Sequence, residues 1–186
     1  SECLVGSEMC IRDRYDTITG LPEKKNTCQG YSHESSWARG QAWALYGYTM
    51  MFRMTRDEKY LEHAENIADM LLSRLPVDGI PYWDFDAPNG NEYRDASAGA
   101  IMASAFVELS GFATDEKARQ NYLSIAEKQL RTLASSHYLA EPGTNCNFIL
   151  KHSVGNLPEK SEVDVPLSYA DYYFLEALLR YKKAMG

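Results

Sequence analysis

The sequence lacks most of the features that assign a protein to a class at sight. Only four of its 186 residues are cysteines, and Cys3, Cys10, Cys28 and Cys146 have neither metal-ligand spacing nor the density of a disulfide framework. No stretch is apolar for long enough to span a bilayer. No basic start leads into an apolar run, as a signal peptide requires, and no tract is of low complexity. Four histidines, His33, His63, His137 and His152, stand without a spaced metal partner, so no metal and no cofactor is expected. Positive charge is in the minority: 19 Lys and Arg against 26 Asp and Glu leave a net −7. That balance argues against nucleic acid or an anionic membrane as a general partner, since both reward a basic surface. An anionic small molecule stays open, because one or two local arginines suffice.

What is there is ordinary in amount and informative in pattern. Hydrophobic residues make up 45% of the chain, enough for a sizeable core, and thirteen Tyr and three Trp suit helical cores as well as sugar-binding clefts. Ser1–Arg14 (SECLVGSEMCIRDR) has no helical or strand period and resembles translated sequencing-adapter DNA. It is read as non-native sequence rather than as an irregular arm, with authentic sequence expected from Tyr15.

From Ser36 the chain turns helical. Residues 37–55 are apolar on most faces, as a buried inner helix is. Asp57 then caps an amphipathic helix in which Leu61, Ala64, Ala68, Leu71 and Leu75 recur at three- and four-residue steps. After a loop rich in Pro, Gly and Asp, the pattern repeats. Residues 97–113 are again apolar nearly all round. Asp115 opens a second amphipathic helix, with Ala118, Tyr122, Ile125, Ala126, Leu130 and Leu133 on its buried side. Residues 167–183 supply one more apolar helix. Paired inner and outer helices predict an all-α solenoid or closed toroid of helical hairpins. A closed ring of six hairpins needs about twice this length at about sixty residues per hairpin. The chain is therefore expected to form about half a ring, with poor solubility by itself.

Candidate chemistry concentrates in residues 27–43, TCQGYSHESSWARGQAW. Arg39 and Trp43 stand four apart and share a helix face. Gln29 and Gly30 lie in the turn before that helix, and Ser35 or Ser36 is expected to cap it. Arg39 offers a planar fork that matches a carboxylate, and Trp43 an aromatic face for a sugar ring or a C=C bond. The competing reading pairs Arg39 with an internal acid and places Trp43 in the core. Among the carboxylates, Asp84 and Asp86 are expected to fix their loop and Asp95 to cap a helix. Glu162, Asp164 and Asp171 have the same structural reading.

The stretch QGYSHESSWARGQAW resembles the QGY and WARGQAW motif of unsaturated glucuronyl hydrolases, glycoside hydrolase family 88. GIPYWDFDAP at 79–88, DASAGAI at 95–101 and SEVDVPLSYADYYFLEALLR at 161–180 are similar to further family segments. The resemblance covers nearly everything from Tyr15 onward and identifies residues 15–186 as the C-terminal part of a single (α/α)6-barrel domain, a six-hairpin toroid. It implies a full-length enzyme that removes 4,5-unsaturated glucuronic acid from the non-reducing end of lyase-generated oligosaccharides, in a bacterial cytoplasm or periplasm. An aspartic acid protonates the 4,5 double bond, water adds at C5, and the hemiketal opens and releases the remaining sugar. Thr27, Gln29, Arg39 and Trp43 are implied as the substrate-binding residues. The family's two catalytic aspartates fall upstream of this chain and a pocket histidine near Ile11, so no catalytic residue is assigned and the chain by itself is expected to be inactive. Asn156–Ser161 (NLPEKS) departs from a Ser-x-x-Ser-x-Lys stretch that reads sulfate in some relatives. The alternatives are the sister hydrolases of unsaturated rhamnogalacturonan ends and a non-catalytic helical-repeat sugar-binding module. The sequence leaves the oligomeric state open.

Overall fold

The computed structural model describes residues 14–24, 27–88 and 93–186. All of the expected non-native segment except Arg14 lies outside them, as does the position near Ile11.

Five helices carry the architecture: α1 (Ala38–Thr55), α2 (Glu58–Arg74), α3 (Ala96–Ser110), α4 (Glu116–Leu133) and α5 (Ser168–Met185). They form where the apolar periodicity predicts, and each amphipathic helix opens on its expected cap. Asp57 accepts from the Lys59 amide and Asp115 from the Ala118 amide, each satisfying a first-turn donor. At the other end of α1, Arg56 adopts a left-handed φ of 59° and its amide closes on the Phe52 carbonyl.

Packing sorts the helices into two layers. α3 lies between α1 and α5, while α2 covers α1 and α4 covers α3. Every residue of α3 except Glu108 is buried, which explains a run so apolar and so rich in Ala, Gly and Ser. Leu45, Ile67, Leu71, Ile101, Met102 and Phe106 form the main core, and Ile80, Leu133, Leu150 and Phe174 a second one beneath the later loops. The outer helices bury one stripe each, Leu61, Ala64, Ile67, Ala68 and Leu71 on α2 and Tyr122, Ala126, Gln129, Leu130 and Leu133 on α4.

The connections differ by end. Turns from inner to outer helix are short, at Arg56–Asp57 and 111–115, whereas returns from outer to inner helix are long, at 75–95 and 134–167. All long segments therefore collect at the N-terminal ends of the inner helices and build a rim there. There are two antiparallel hairpins among the described residues, β1 (Arg14–Tyr15) with β2 (Pro22–Lys24) and β3 (Ser153–Asn156) with β4 (Ser161–Val165), the second lying in this rim against α3. The helical periodicity gives no sign of them.

One flank of α5 is bare. Tyr172, Leu175 and Leu179 form a stripe at three- and four-residue spacing with exposures of 59, 47 and 70%. Replacing Leu175 and Leu179 by Lys is expected to reduce self-association of this chain, read by sedimentation velocity. In the core, Phe106→Ala is expected to cost about 3–5 kcal/mol, against about 1 kcal/mol for removing the Asp115 cap with Ala, both read from urea denaturation.

Candidate functional site at the inner-helix rim

The rim begins with a tight turn. Thr27 Oγ1 accepts from the Gly30 amide at 2.9 Å, and the Thr27 amide donates to His33 Nδ1 at 3.0 Å. Position 30 admits only glycine without displacement: a Cβ there would lie 2.7 Å from Thr27 Oγ1, 3.2 Å from Ser35 Oγ and 3.3 Å from Asp84 Oδ2. Buried Asp84 is the hub of this turn. It accepts from the Tyr31 amide at 2.8 Å, Ser35 Oγ at 2.7 Å and the Asp86 amide at 2.9 Å. Asp86 in turn holds Ser36 and Arg74, accepting from the Ser36 amide at 2.7 Å and from Arg74 at 2.5 Å. Burial pushes the Asp86 carboxyl up, but the Arg74 and Ser36 donors outweigh it and leave the group below the usual carboxylate range.

The expected serine cap of α1 is not what the structure has. The N-cap is Trp37, which makes no side-chain cap bond; its extended backbone pairs with Asp84, and the Ala38 amide donates to the Trp83 carbonyl. The neighbouring loop thus satisfies the first donor, and Ser35 and Ser36 are committed to Asp84, Asp86 and Arg74 instead.

Of the four expected binding residues, Gln29 and Arg39 meet on one group. Gln29 Nε2 donates to the Gly155 carbonyl at 3.1 Å, and Arg39 Nη2 donates to the same oxygen at 2.5 Å. Arg39 is only 3% exposed. Its Nη1 donates to Asp95 at 3.0 Å and also to the Val154 carbonyl, and its guanidinium lies over the rings of Trp37, at 4.6 Å, and Tyr169, at 5.5 Å. The internal acid weighed for Arg39 is therefore Asp95, which also caps α3 through Ser97. Trp43 is half-buried one turn further down, edge-on to Tyr46 at 6.4 Å and to Tyr173 at 5.0 Å. Thr27 makes its described hydrogen bonds within its own turn.

Below the rim the three inner helices meet in layers at matching positions. Arg39, Ser97 and Tyr169 make the first, and Trp43 and Tyr173 the second. In the third, Glu176 accepts from Tyr46 at 3.2 Å and from Ser104 at 2.5 Å. In the fourth, Glu108 accepts from Arg180 at 2.6 Å and from Arg53 at 2.7 Å. Burial pushes the Tyr46 hydroxyl up to about 12, Glu176 adding to the shift and Arg180 opposing it. Tyr169 and Tyr173 are raised by burial as well. All three phenols therefore stay protonated at neutral pH, and Tyr46 donates to Glu176. Tyr169, Tyr173, the β3 carbonyls and the Arg39–Asp95 link escape a reading of residues 27–43. The available signal was the spacing of Tyr169, Tyr173 and Glu176, which repeats that of Arg39, Trp43 and Tyr46.

Two of the other candidate acids, Asp164 and Asp171, have structural partners, and Glu162 is exposed. Asp171 accepts from the Ile149 and Leu150 amides, each at 2.8 Å, and Asp164 lies 2.6 Å from His152 Nδ1. Among the described residues no group of three or more His, Cys, Asp or Glu side chains is arranged to hold a metal.

Layered inner helices, outer covering helices and a loop-built rim define an array of α/α hairpins of the kind that builds α/α toroids. No protein-family model matches the chain. It is 48% identical over 169 residues to an unsaturated glucuronyl hydrolase of Formosa agariphila, an alignment covering 89% of this chain and 41% of that protein. The unsaturated glucuronyl hydrolase of Bacillus sp. strain GL1 is 34% identical, with 92 and 47% covered. The solved structure of an unsaturated glucuronyl hydrolase specific for heparin superposes with a TM-score of 0.88 at 52% identity, covering 92% of this chain and 46% of that one. The chain is homologous to the unsaturated glucuronyl hydrolases of glycoside hydrolase family 88 and spans about half the length of the relatives it matches.

Alkali tests the buried phenols. With a folded pKa about 12 for Tyr46 against 10.0 for the free group, the unfolded chain ionises first, so stability is full below pH 10 and falls as pH rises toward 12. Tyr122 and Tyr138 titrate in the same window. Tyr46→Phe is expected to flatten the decline by about one proton, up to about 1.4 kcal/mol per pH unit, in denaturation curves collected across that range.

Proposed function

We propose that the whole protein of which this chain forms part removes 4,5-unsaturated glucuronic acid from the non-reducing end of lyase-generated oligosaccharides, and that this chain supplies the uronate-holding side of the pocket. The observation that carries the reading is the convergence of Gln29 and Arg39 on the Gly155 carbonyl, with Trp43 one turn further down the same helix, in a chain 48 and 52% identical to two unsaturated glucuronyl hydrolases over about nine-tenths of its length. A guanidinium in a site poor in water, a side-chain amide and an indole face together suit a planar, unsaturated ring bearing a carboxylate. Thr27 supports this site by shaping the turn that carries Gln29.

The chemistry asks for little beyond one proton donor and one water. A carboxylic acid protonates C4 of the C4=C5 bond, positive charge develops at C5 and the ring oxygen, and water adds at C5. The hemiketal so formed opens and expels the neighbouring sugar. A donor for C4 needs a raised pKa and an open approach. Asp84 and Asp95 have no such opening, being buried and engaged on both oxygens by internal donors. In this proposal the acid comes from the part of the protein that this chain does not contain, and the chain contributes binding.

The test is turnover of unsaturated disaccharides by the full-length protein, followed as loss of the ultraviolet absorbance of the conjugated uronate. Heparin-derived and chondroitin-derived disaccharides are compared, because relatives of both descriptions align with this chain. Trp43→Ala is expected to raise KM at least about tenfold, the equivalent of about 1.4 kcal/mol of lost stacking. Absence of turnover on unsaturated uronates of any origin would overturn the reading.

A further inference from the structure

The reading above assigns Arg39 to the pocket but leaves open what sets its guanidinium in place. Arg39 has five N–H donors in a fixed plane. Three are spent on protein: both Nη1 hydrogens, on Asp95 and the Val154 carbonyl, and one Nη2 hydrogen on the Gly155 carbonyl. No partner for Nε or for the second Nη2 hydrogen occurs among the described residues. Nε–H and one Nη2 hydrogen share an edge of a guanidinium, and that edge matches the two oxygens of a carboxylate.

Asp95 controls that arrangement from the opposite side. It is fully buried, and its two oxygens divide their work. Oδ2 takes Arg39, while Oδ1 takes the Ser97 amide at 3.0 Å, Ser97 Oγ at 2.5 Å and the Val154 amide at 3.4 Å. One carboxylate thus joins the start of α3, the Arg39 guanidinium of α1 and strand β3. Val154 is gripped twice, its amide by Asp95 and its carbonyl by Arg39. Gly155, the next residue, is gripped by Arg39 and Gln29 together. A helix cap needs only the bonds to Ser97; the remaining bonds tie Asp95 to the residues of the proposed uronate site.

We propose that Asp95 is a positioning residue for the uronate site: its buried pair with Arg39 and its bond to Val154 hold the guanidinium edge, the Gly155 carbonyl and, through it, Gln29 as one unit. This rests on the functional reading above and deepens it. Asp95→Asn is the discriminating change, since an amide of the same shape keeps an acceptor for Ser97 and Val154 but turns an N–H group toward Arg39. The guanidinium then loses its counter-charge and with it the hold on its orientation.

The experiment is a double-mutant cycle in the full-length protein, with wild type, Asp95→Asn, Arg39→Lys and the double variant. If Asp95 acts through Arg39, each single change raises KM about tenfold or more and lowers kcat much less, and the double variant is no worse than the poorer single one. Asp95→Glu restores part of the loss, because the charge returns. Asp115→Ala, which removes a helix cap far from the rim, leaves KM unchanged. Multiplying effects in the double variant, or a wild-type KM in Asp95→Asn, would overturn the proposal. A wild type without turnover would sink the functional reading instead. The positioning claim is then decided by hydrogen exchange. Asp95→Asn should speed exchange at residues 154–156 about tenfold while Leu71 in α2 is unaffected; no change at 154–156, or an equal rise at both places, rejects it.

Discussion

A buried charge pair, Arg39 with Asp95, organises this molecule. Burying either Arg39 or Asp95 alone would be prohibitive, and even a bare pair recovers only part of the cost of dehydration. Here protein groups take up both oxygens of Asp95 and three of the five Arg39 donors. Asp95 has donors on both oxygens, and Arg39 has two carbonyls to bind and two aromatic faces beside it. The pair is acceptable only when α1, α3 and β3 are all in place. Its members lie 56 residues apart, and the strand they hold is more than a hundred residues from Arg39. The cost of burying charge is thereby converted into a requirement that distant segments assemble together.

The same logic continues down the inner helices. α3 presents small or short side chains such as Ser97 and Ser104, so larger groups from α1 and α5 reach across it and touch. Tyr46 and Tyr173 meet at 5.2 Å, and Arg180 reaches Tyr46 and Glu108. An aromatic layer lies between polar ones, and the polar layers tolerate little sliding because their donors and acceptors are shared among three helices. The register that places Trp43 beside Tyr173 is the register that lets Glu176 bind both Tyr46 and Ser104.

The helices were legible in the sequence because their periodicity is local. Asp57 and Asp115 were legible as caps because capping needs only neighbouring amides. The shared face of Arg39 and Trp43 followed from their spacing, and the structure shows the internal partners weighed for them: Arg39 pairs with Asp95, and Trp43 packs half-buried against Tyr46 and Tyr173. The identity of the acid was beyond reach, since nothing local links position 39 to position 95. The cap at Ser35 or Ser36 failed for a related reason. Serine next to a helix start is an ordinary cap, but Asp84 and Asp86, about fifty residues away, claim these groups. The β3–β4 hairpin escaped notice because its residues lack clean alternation, and His152, Lys160, Glu162 and Asp164 take left-handed backbone angles that interrupt a regular strand.

The gathering of every long connection at one end divides the molecule's tolerance to change. The tight turns at Arg56–Asp57 and 111–115 leave no slack, and a residue added there would shift one helix against its mate. The segments at 75–95 and 134–167 are long enough to be lengthened, shortened or exchanged while the helical layers stay put. New ligand preferences can therefore be acquired by rewriting one face of the molecule, with the opposite face acting as an inert foundation.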